Sequence, residues 1–190
     1  MRSSTKAVRH EDSPERLLEV AHATVAEVKN CWLVTNGLDG TATPRVVAPI
    51  PGVPGERDWT IWILTSASSR KIEEIQHDAR VSLGYQHDPD SAYVALFGQA
   101  TIVDDRAQIA MRWKPSWNTV FASGAEDPDA IFLRVDVDRI ELFSVVRKVT
   151  PPPFSKKSAT LKRNDQGTWI AAEPLTGTSQ IVNSAFGCLP

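Results

Sequence analysis

The stretch from Trp59 to Gln86, WTIWILTSASSRKIEEIQHDARVSLGYQ, constrains the fold more than any other part of the chain. It opens as an alternating run in which Trp59, Ile61 and Ile63 are set against Thr60, Trp62 and Leu64. It breaks at Thr-Ser-Ala-Ser-Ser, continues as a helix, and returns to a strand from Arg80 to Tyr85. Strand, polar turn, helix and strand are therefore predicted in that order. At the turn, Thr65, Ser66, Ser68 and Ser69 supply hydroxyls, and the helix start supplies backbone N–H groups that have no partner within the helix. Arg70 and Lys71 add two positive charges within one turn. A corner of this composition suits a phosphate group.

Any such anion site must be local. The 190 residues carry 21 Lys and Arg against 23 Asp and Glu, a net charge of -2, which gives no electrostatic reason to expect nucleic acid or acidic membrane as a general partner. The length suits one domain, or one domain with a tail, and a core that needs neither disulfides nor metal. Cys31 falls in a predicted strand and Cys188 near the end, a spacing that forms neither a metal set nor a disulfide framework. With no signal-like or membrane-length apolar segment, a soluble cytoplasmic protein is expected.

Residues 1 to 12 are polar and without periodicity and read as a flexible N-terminus. Ser13 and Pro14 start a predicted helix over about 14 to 29, with Leu17, Leu18, Ala21, Val25 and Val28 on one face. Cys31 to Thr35 and Thr43 to Ile50 then read as a hairpin joined at Leu38-Asp39-Gly40. Arg45 lies inside its second strand, where it can point to solvent or reach a ligand anion. A Pro/Gly loop, 51 to 58, leads back to the central strand.

After a turn at 87 to 90 comes a long strand, Ala92 to Asp104, whose Gly98 marks a bulge, a barrel bend or close approach of a ligand. Asp104 or Asp105 caps the next helix, which leads to Trp113 and Trp117. These two side chains suit a core, a subunit interface or a surface over a planar ring. Two closing strands are predicted, Ala130 to Val137 and Arg139 to Val146. Six or seven strands with few helices give a mainly β fold, a closed and mostly antiparallel barrel with flanking helices. Thr150 and Pro151 to Pro153 form a stiff boundary, so the barrel domain is set at 13 to 150. Residues 151 to 190 form a C-terminal extension with one hairpin over 159 to 172 and a locally basic surface.

With Arg45, Thr65 and Ser69-Arg70-Lys71 placed, the chain resembles the pyridoxamine 5'-phosphate oxidase-like split barrels that bind FMN, and in particular their general stress protein 26 branch. The resemblance rests on PRVVAP (44 to 49), residues 61 to 85, YVALFGQATIVDD (93 to 105) and MRWKPSW (111 to 117), taken in this order, and covers about 13 to 147. It implies a six- to seven-stranded antiparallel split β-barrel and a homodimer with two FMN sites at the subunit interface. Carried over by position, it implies that Arg45, Ser69, Arg70 and Lys71 hold the phosphate and ribityl end. Val46 and Val47 supply backbone beside the flavin, and Leu64 and Thr65 end the strand along the ring. Tyr93 stands where the oxidase often has Gln near the flavin edge, and Trp113 completes the cofactor-binding set.

The chain also departs from the oxidase. Ile50 stands where the oxidase has a substrate-phosphate Lys, and the ending SAFGCLP lacks the oxidase's Arg and His, so pyridoxal phosphate synthesis is not expected. The expectation is an FMN-binding flavoprotein, with FAD less favoured, acting as an oxidoreductase on an unidentified small molecule. No catalytic acid or base is evident: His10, His22, His77 and His87 read as surface residues. The acidic clusters at 104 to 105 and 126 to 129 read as caps and turns, not as metal sites. Two alternatives stay open: a barrel of this shape holding deazaflavin or haem, and a cofactor-free dimeric interaction module.

Overall fold

The computed structural model describes residues 13–149 and 158–172. Ser13 caps helix α1 (Pro14–Ala26), its hydroxyl accepting from the Arg16 amide at 3.3 Å. The helix ends three residues before the predicted 29. Its inward stripe is Leu17, Val20, Ala21 and Thr24, with Leu18, Val25 and Val28 partly buried beside it.

Strand β1 (Cys31–Asn36) pairs antiparallel with β2 (Ala42–Val47), and Leu33 stands opposite Arg45. The predicted strand 43 to 50 is in fact two. It breaks at Ala48, and β3 (Pro49–Pro51) pairs with β4 (Thr60–Ser66) instead of continuing along β1. Pro49 and Pro51 lack the amide that an extended ladder needs, so a short edge strand is what this segment can form. Trp59, predicted as the first strand residue, precedes β4 with φ 61° and stacks its ring on His22 at 3.9 Å.

Helix α2 (Arg70–His77) follows β4 and leads to β5 (Arg80–His87), as the alternation of periods predicts. A short 3-10 turn, Asp88–Asp90, joins β5 to the long β6 (Ala92–Val103). Asp105 caps α3 (Arg106–Arg112) by accepting from the Gln108 amide at 2.8 Å.

The two predicted closing strands are one, β7 (Ala130–Ser144). Asp138 reverses nothing: the register with β6 shifts there, so that Phe97 faces Arg139 while Gly98 faces Val137. The extra residue is absorbed as a bulge. Gly98 is required at this point, because a Cβ on it would lie 2.3 Å from the Asp136 carbonyl oxygen.

Strand order is β2-β1-β5-β6-β7-β4-β3, all antiparallel, so the two ends of the sheet are consecutive in the chain and meet at Ala48. The result is a mainly antiparallel split barrel with few helices. Strands β8 (Ala159–Arg163) and β9 (Trp169–Ala172) form a hairpin whose β8 pairs with β7 at Arg139 to Leu142. Because β6 occupies one edge of β7 throughout, β8 continues the edge that β4 leaves at Asp136.

The barrel interior is filled by Leu33, Ile63, Leu83, Tyr85, Leu96, Leu133 and Ile140, closed by α1 and by Ile72 and Ile75 of α2. A second apolar layer lies outside β4 and β7, where Trp62, Ile109 and Phe132 pack with Leu64, Trp113 and Trp117. Cys31 is buried, and burial pushes its thiol up to about 11. Cys188, His10, the Thr150 to Pro153 boundary, residues 1 to 12 and the ending SAFGCLP lie outside the described residues. Among the described residues no helix is long and apolar enough to cross a membrane.

Candidate functional site

Side chains alternate across β2, so Arg45 and Val47 face inward and Val46 faces out, 58% exposed. The Arg45 guanidinium does not point to solvent. Its Nη1 donates to Thr35 Oγ1 at 2.6 Å and its Nη2 to Glu74 Oε2 at 2.6 Å. Thr35 in turn donates to the same carboxylate oxygen at 2.5 Å, and Arg70 Nε reaches the other oxygen at 3.0 Å. Glu74 is buried, on the apolar face of α2 between Ile72 and Ile75. Burial alone would raise its carboxyl; the hydrogen bonds from Thr35 and Arg45, with the charges of Arg45 and Arg70, outweigh this and hold it below the ordinary carboxylate range.

Lys71 completes the corner from the first turn of α2. Its Nζ donates to Thr65 Oγ1 at 2.6 Å and to Ser69 Oγ at 2.9 Å, and among the described residues no carboxylate forms an ion pair with it. Partial burial lowers its pKa, as does the Arg45 charge, while Glu74 opposes both. Ser69 makes no side-chain capping bond to the helix; its hydroxyl donates to the Ser66 carbonyl instead. Three cations and one carboxylate thus share the corner, a net excess of about two positive charges, as a phosphate monoester near neutral pH would require.

The other predicted hydroxyls lie apart from it. Ser66 and Ser68 bond to each other at 2.7 Å, and the Ser68 amide donates to Asp129 at 3.0 Å. Asp129 therefore acts as a turn anchor, and Asp127 likewise accepts from the Asp129 amide.

The structure brings together Arg45, Thr65, Ser69, Arg70 and Lys71, with Val46 and Val47 on the adjoining strand. Leu64 and Trp113 sit one layer away in the outer apolar cluster. There Trp113 meets Trp117 edge-on at 5.5 Å and donates Nε1 to Asn118 at 2.8 Å. Tyr93 is not brought in. Thr65 faces Ile131 and Val103 faces Phe132, so the corner lies at the Val103 end of β6. Tyr93 lies toward the other end of β6, three residues from the Leu96 that shares a register row with Arg45, and there it is 39% exposed and stacks on Phe143.

Sequence reasoning missed Glu74 and Thr35. The available signal was a carboxylate on the apolar face of a short helix, four residues after Arg70. Of the histidines read as surface residues, His22 is exposed, whereas His87 is largely covered. His22 stacks on Trp59, while His87 lies with Nε2 3.1 Å from Glu27 and Nδ1 3.6 Å from Asp90. Arg147 bridges those same two carboxylates, which ties α1 to the end of β7.

At the rim of the corner the Arg70 side chain is 71% exposed. A trough of about 800 Å³ lies elsewhere, on the outer sheet face along Val34, Ser82, Phe97, Gln99, Arg139 and Lys162.

The profile of the family described as pyridoxamine 5'-phosphate oxidase like matches residues 17–171. No curated protein sequence matches the chain. Among solved structures, one similar fold is a Clostridium acetobutylicum protein related to general stress protein 26, at 21% identity and TM-score 0.63, covering 78% of this chain and 95% of that one. A second is a pyridoxamine 5'-phosphate oxidase-related, FMN-binding protein from Nostoc punctiforme, at 14% identity and TM-score 0.58, covering 83% and 95%. A third is the general stress FMN/FAD-binding protein of Xanthomonas citri, at 21% identity and TM-score 0.52, covering 62% and 81%.

Proposed function

The chain belongs to the pyridoxamine 5'-phosphate oxidase-like family, and on that premise we propose that it is an FMN-binding flavoprotein acting as an oxidoreductase on a small molecule. The observation that carries the proposal is the Lys71 ammonium, held by two hydroxyls and, among the described residues, by no carboxylate, beside Arg45 and Arg70. The residues fit the group: an anion of charge near -2 meets charge-assisted donors mounted on a strand and a helix start. Lys71, Arg45 and Ser69 would take the phosphate, with Arg70 at the rim. Val46, Val47, Leu64 and Thr65 would flank the ring, with Trp113 behind Leu64. When bound, the flavin supplies hydride chemistry at its ring.

A second copy of the chain would cover the exposed rim of the corner. Trp113 and Trp117, whose sequence setting also suits a subunit interface, pack on each other, and Trp113 packs on the buried Phe121 of the same subunit. Besides Met111 and Val120 near the two tryptophans, the exposed apolar groups include Trp32 at 51%, Val46 at 58% and Tyr93 at 39%, on the outer face of β1, β2 and β6. This face supports the homodimer reading, and it leaves Tyr93 a role only across the subunit boundary.

Visible spectroscopy of the protein as purified, followed by titration with FMN, FAD and riboflavin, tests the assignment. Flavin bands with FMN bound most tightly are expected; a colourless protein with no affinity for FMN would overturn it. Light scattering should give a dimer at micromolar concentration.

A further inference from the structure

We infer that Glu74 is a positioning residue of the corner: it fixes the Arg45 guanidinium against the phosphate position and leaves Lys71 as the cation free to neutralise the ligand. The inference rests on the phosphate reading above and adds to it a division of roles. Arg45 reaches the corner from β2, a strand at the end of the sheet, on a long flexible side chain whose ordering carries an entropic cost. Glu74 and Thr35 meet that cost before any ligand arrives, since the carboxylate and the hydroxyl take one hydrogen each from the two terminal nitrogens. A guanidinium has five N–H donors, so those that remain are presented in a fixed plane.

Glu74 is itself fixed, because donors from β1, β2 and α2 converge on its two oxygens and it is 3% exposed. Among the described residues Lys71 has no such holder. Its hydroxyl partners are neutral and are readily exchanged for an anion.

A carboxylate so close to a phosphate site would otherwise only repel the ligand. Two opposite forecasts follow for Glu74→Gln, which keeps the shape and removes the charge. If Glu74 positions Arg45, FMN affinity falls about tenfold while riboflavin affinity is unchanged. If Glu74 is merely a competing charge, FMN binds more tightly, and the inference is overturned.

The test is fluorescence titration of FMN and riboflavin with the full-length wild type, Glu74→Gln, Arg45→Ala and the double variant. Because Glu74 acts through Arg45, the Glu74→Gln loss should vanish in the Arg45→Ala background; an undiminished loss there overturns the inference. If Glu74→Gln fails to fold, Thr35→Val decides, since it removes the hydroxyl joining Arg45 to Glu74 and no charge. A fall of about threefold or more for FMN alone supports the inference, and no fall overturns it. The two failures are distinguishable. A wild type that binds FMN no better than riboflavin removes the phosphate reading itself, whereas one that discriminates, with Glu74→Gln discriminating equally, removes only the role given to Glu74.

Discussion

Lys71 reaches back from the first turn of α2 to the end of β4, its Nζ lying 2.6 Å from Thr65 Oγ1. This contact joins strand and helix across the turn, at the point where the three cations meet. The ammonium would exchange neutral partners for a phosphate.

Lys71→Ala is accordingly expected to weaken FMN by roughly 1.5 to 3 kcal/mol, a ten- to hundredfold rise in Kd, with riboflavin unaffected. Parallel fluorescence titrations check this. Equal losses for the two flavins would mean that the substitution disturbs the barrel and not a phosphate contact.

Turnover of pyridoxamine 5'-phosphate should be negligible even with FMN supplied. Ile50 faces Trp62 across β3 and β4 and packs on the outer apolar cluster, so it offers a substrate phosphate no charge. Measuring pyridoxal phosphate formation against an authentic oxidase settles the point, and comparable rates would contradict it.

Gly98→Ala should cost about 2 kcal/mol or more, because the new Cβ would meet backbone and not a side chain that can swing aside. Gly84→Ala is the control. Its Cβ would find only Trp32 Cβ at 3.8 Å, ordinary contact, and the change should stay within about 0.5 kcal/mol. Urea unfolding of both variants distinguishes a bulge that needs glycine from a strand that merely contains it.

Acidification should destabilise the protein through His22. Burial against Trp59 lowers its pKa, an effect partly offset by Asp58, so the unfolded chain takes up the proton before the folded one does. Stability from this group is complete above its unfolded pKa of about 6.5 and is lost as pH falls through the lowered folded value. Unfolding at pH 7 and at pH 5.5 should therefore show a larger loss for the wild type than for His22→Gln. The carboxylates that are held low, Glu56, Asp58 and Glu74, begin to lose their contribution only nearer pH 4. An identical loss in the two proteins would refute the role of His22.

The residues of the corner could be grouped from sequence because Thr65, Ser69, Arg70 and Lys71 follow one another through a single strand, turn and helix. Local chemistry alone brings them together. Glu74 is harder to single out: helical spacing sets it with Ile72 and Ile75, but beside Glu73 it reads as half of a solvated acidic pair, and the partners that hold it come from the remote β1 and β2. The same limit explains β7. Asp138 carries the polar signature of a turn, and whether one extra residue reverses a chain or bulges from it is decided by the neighbouring strand.

The hairpin of β8 and β9 has a bearing on solubility. It pairs with the half of β7 that β4 leaves open, so a chain ending before residue 158 would present that half as a bare row of amides and carbonyls. Such an edge is a template for strand addition between molecules. The hairpin guards the sheet against its own copies, and a truncated barrel should be recovered as aggregate even where its interior can still fold.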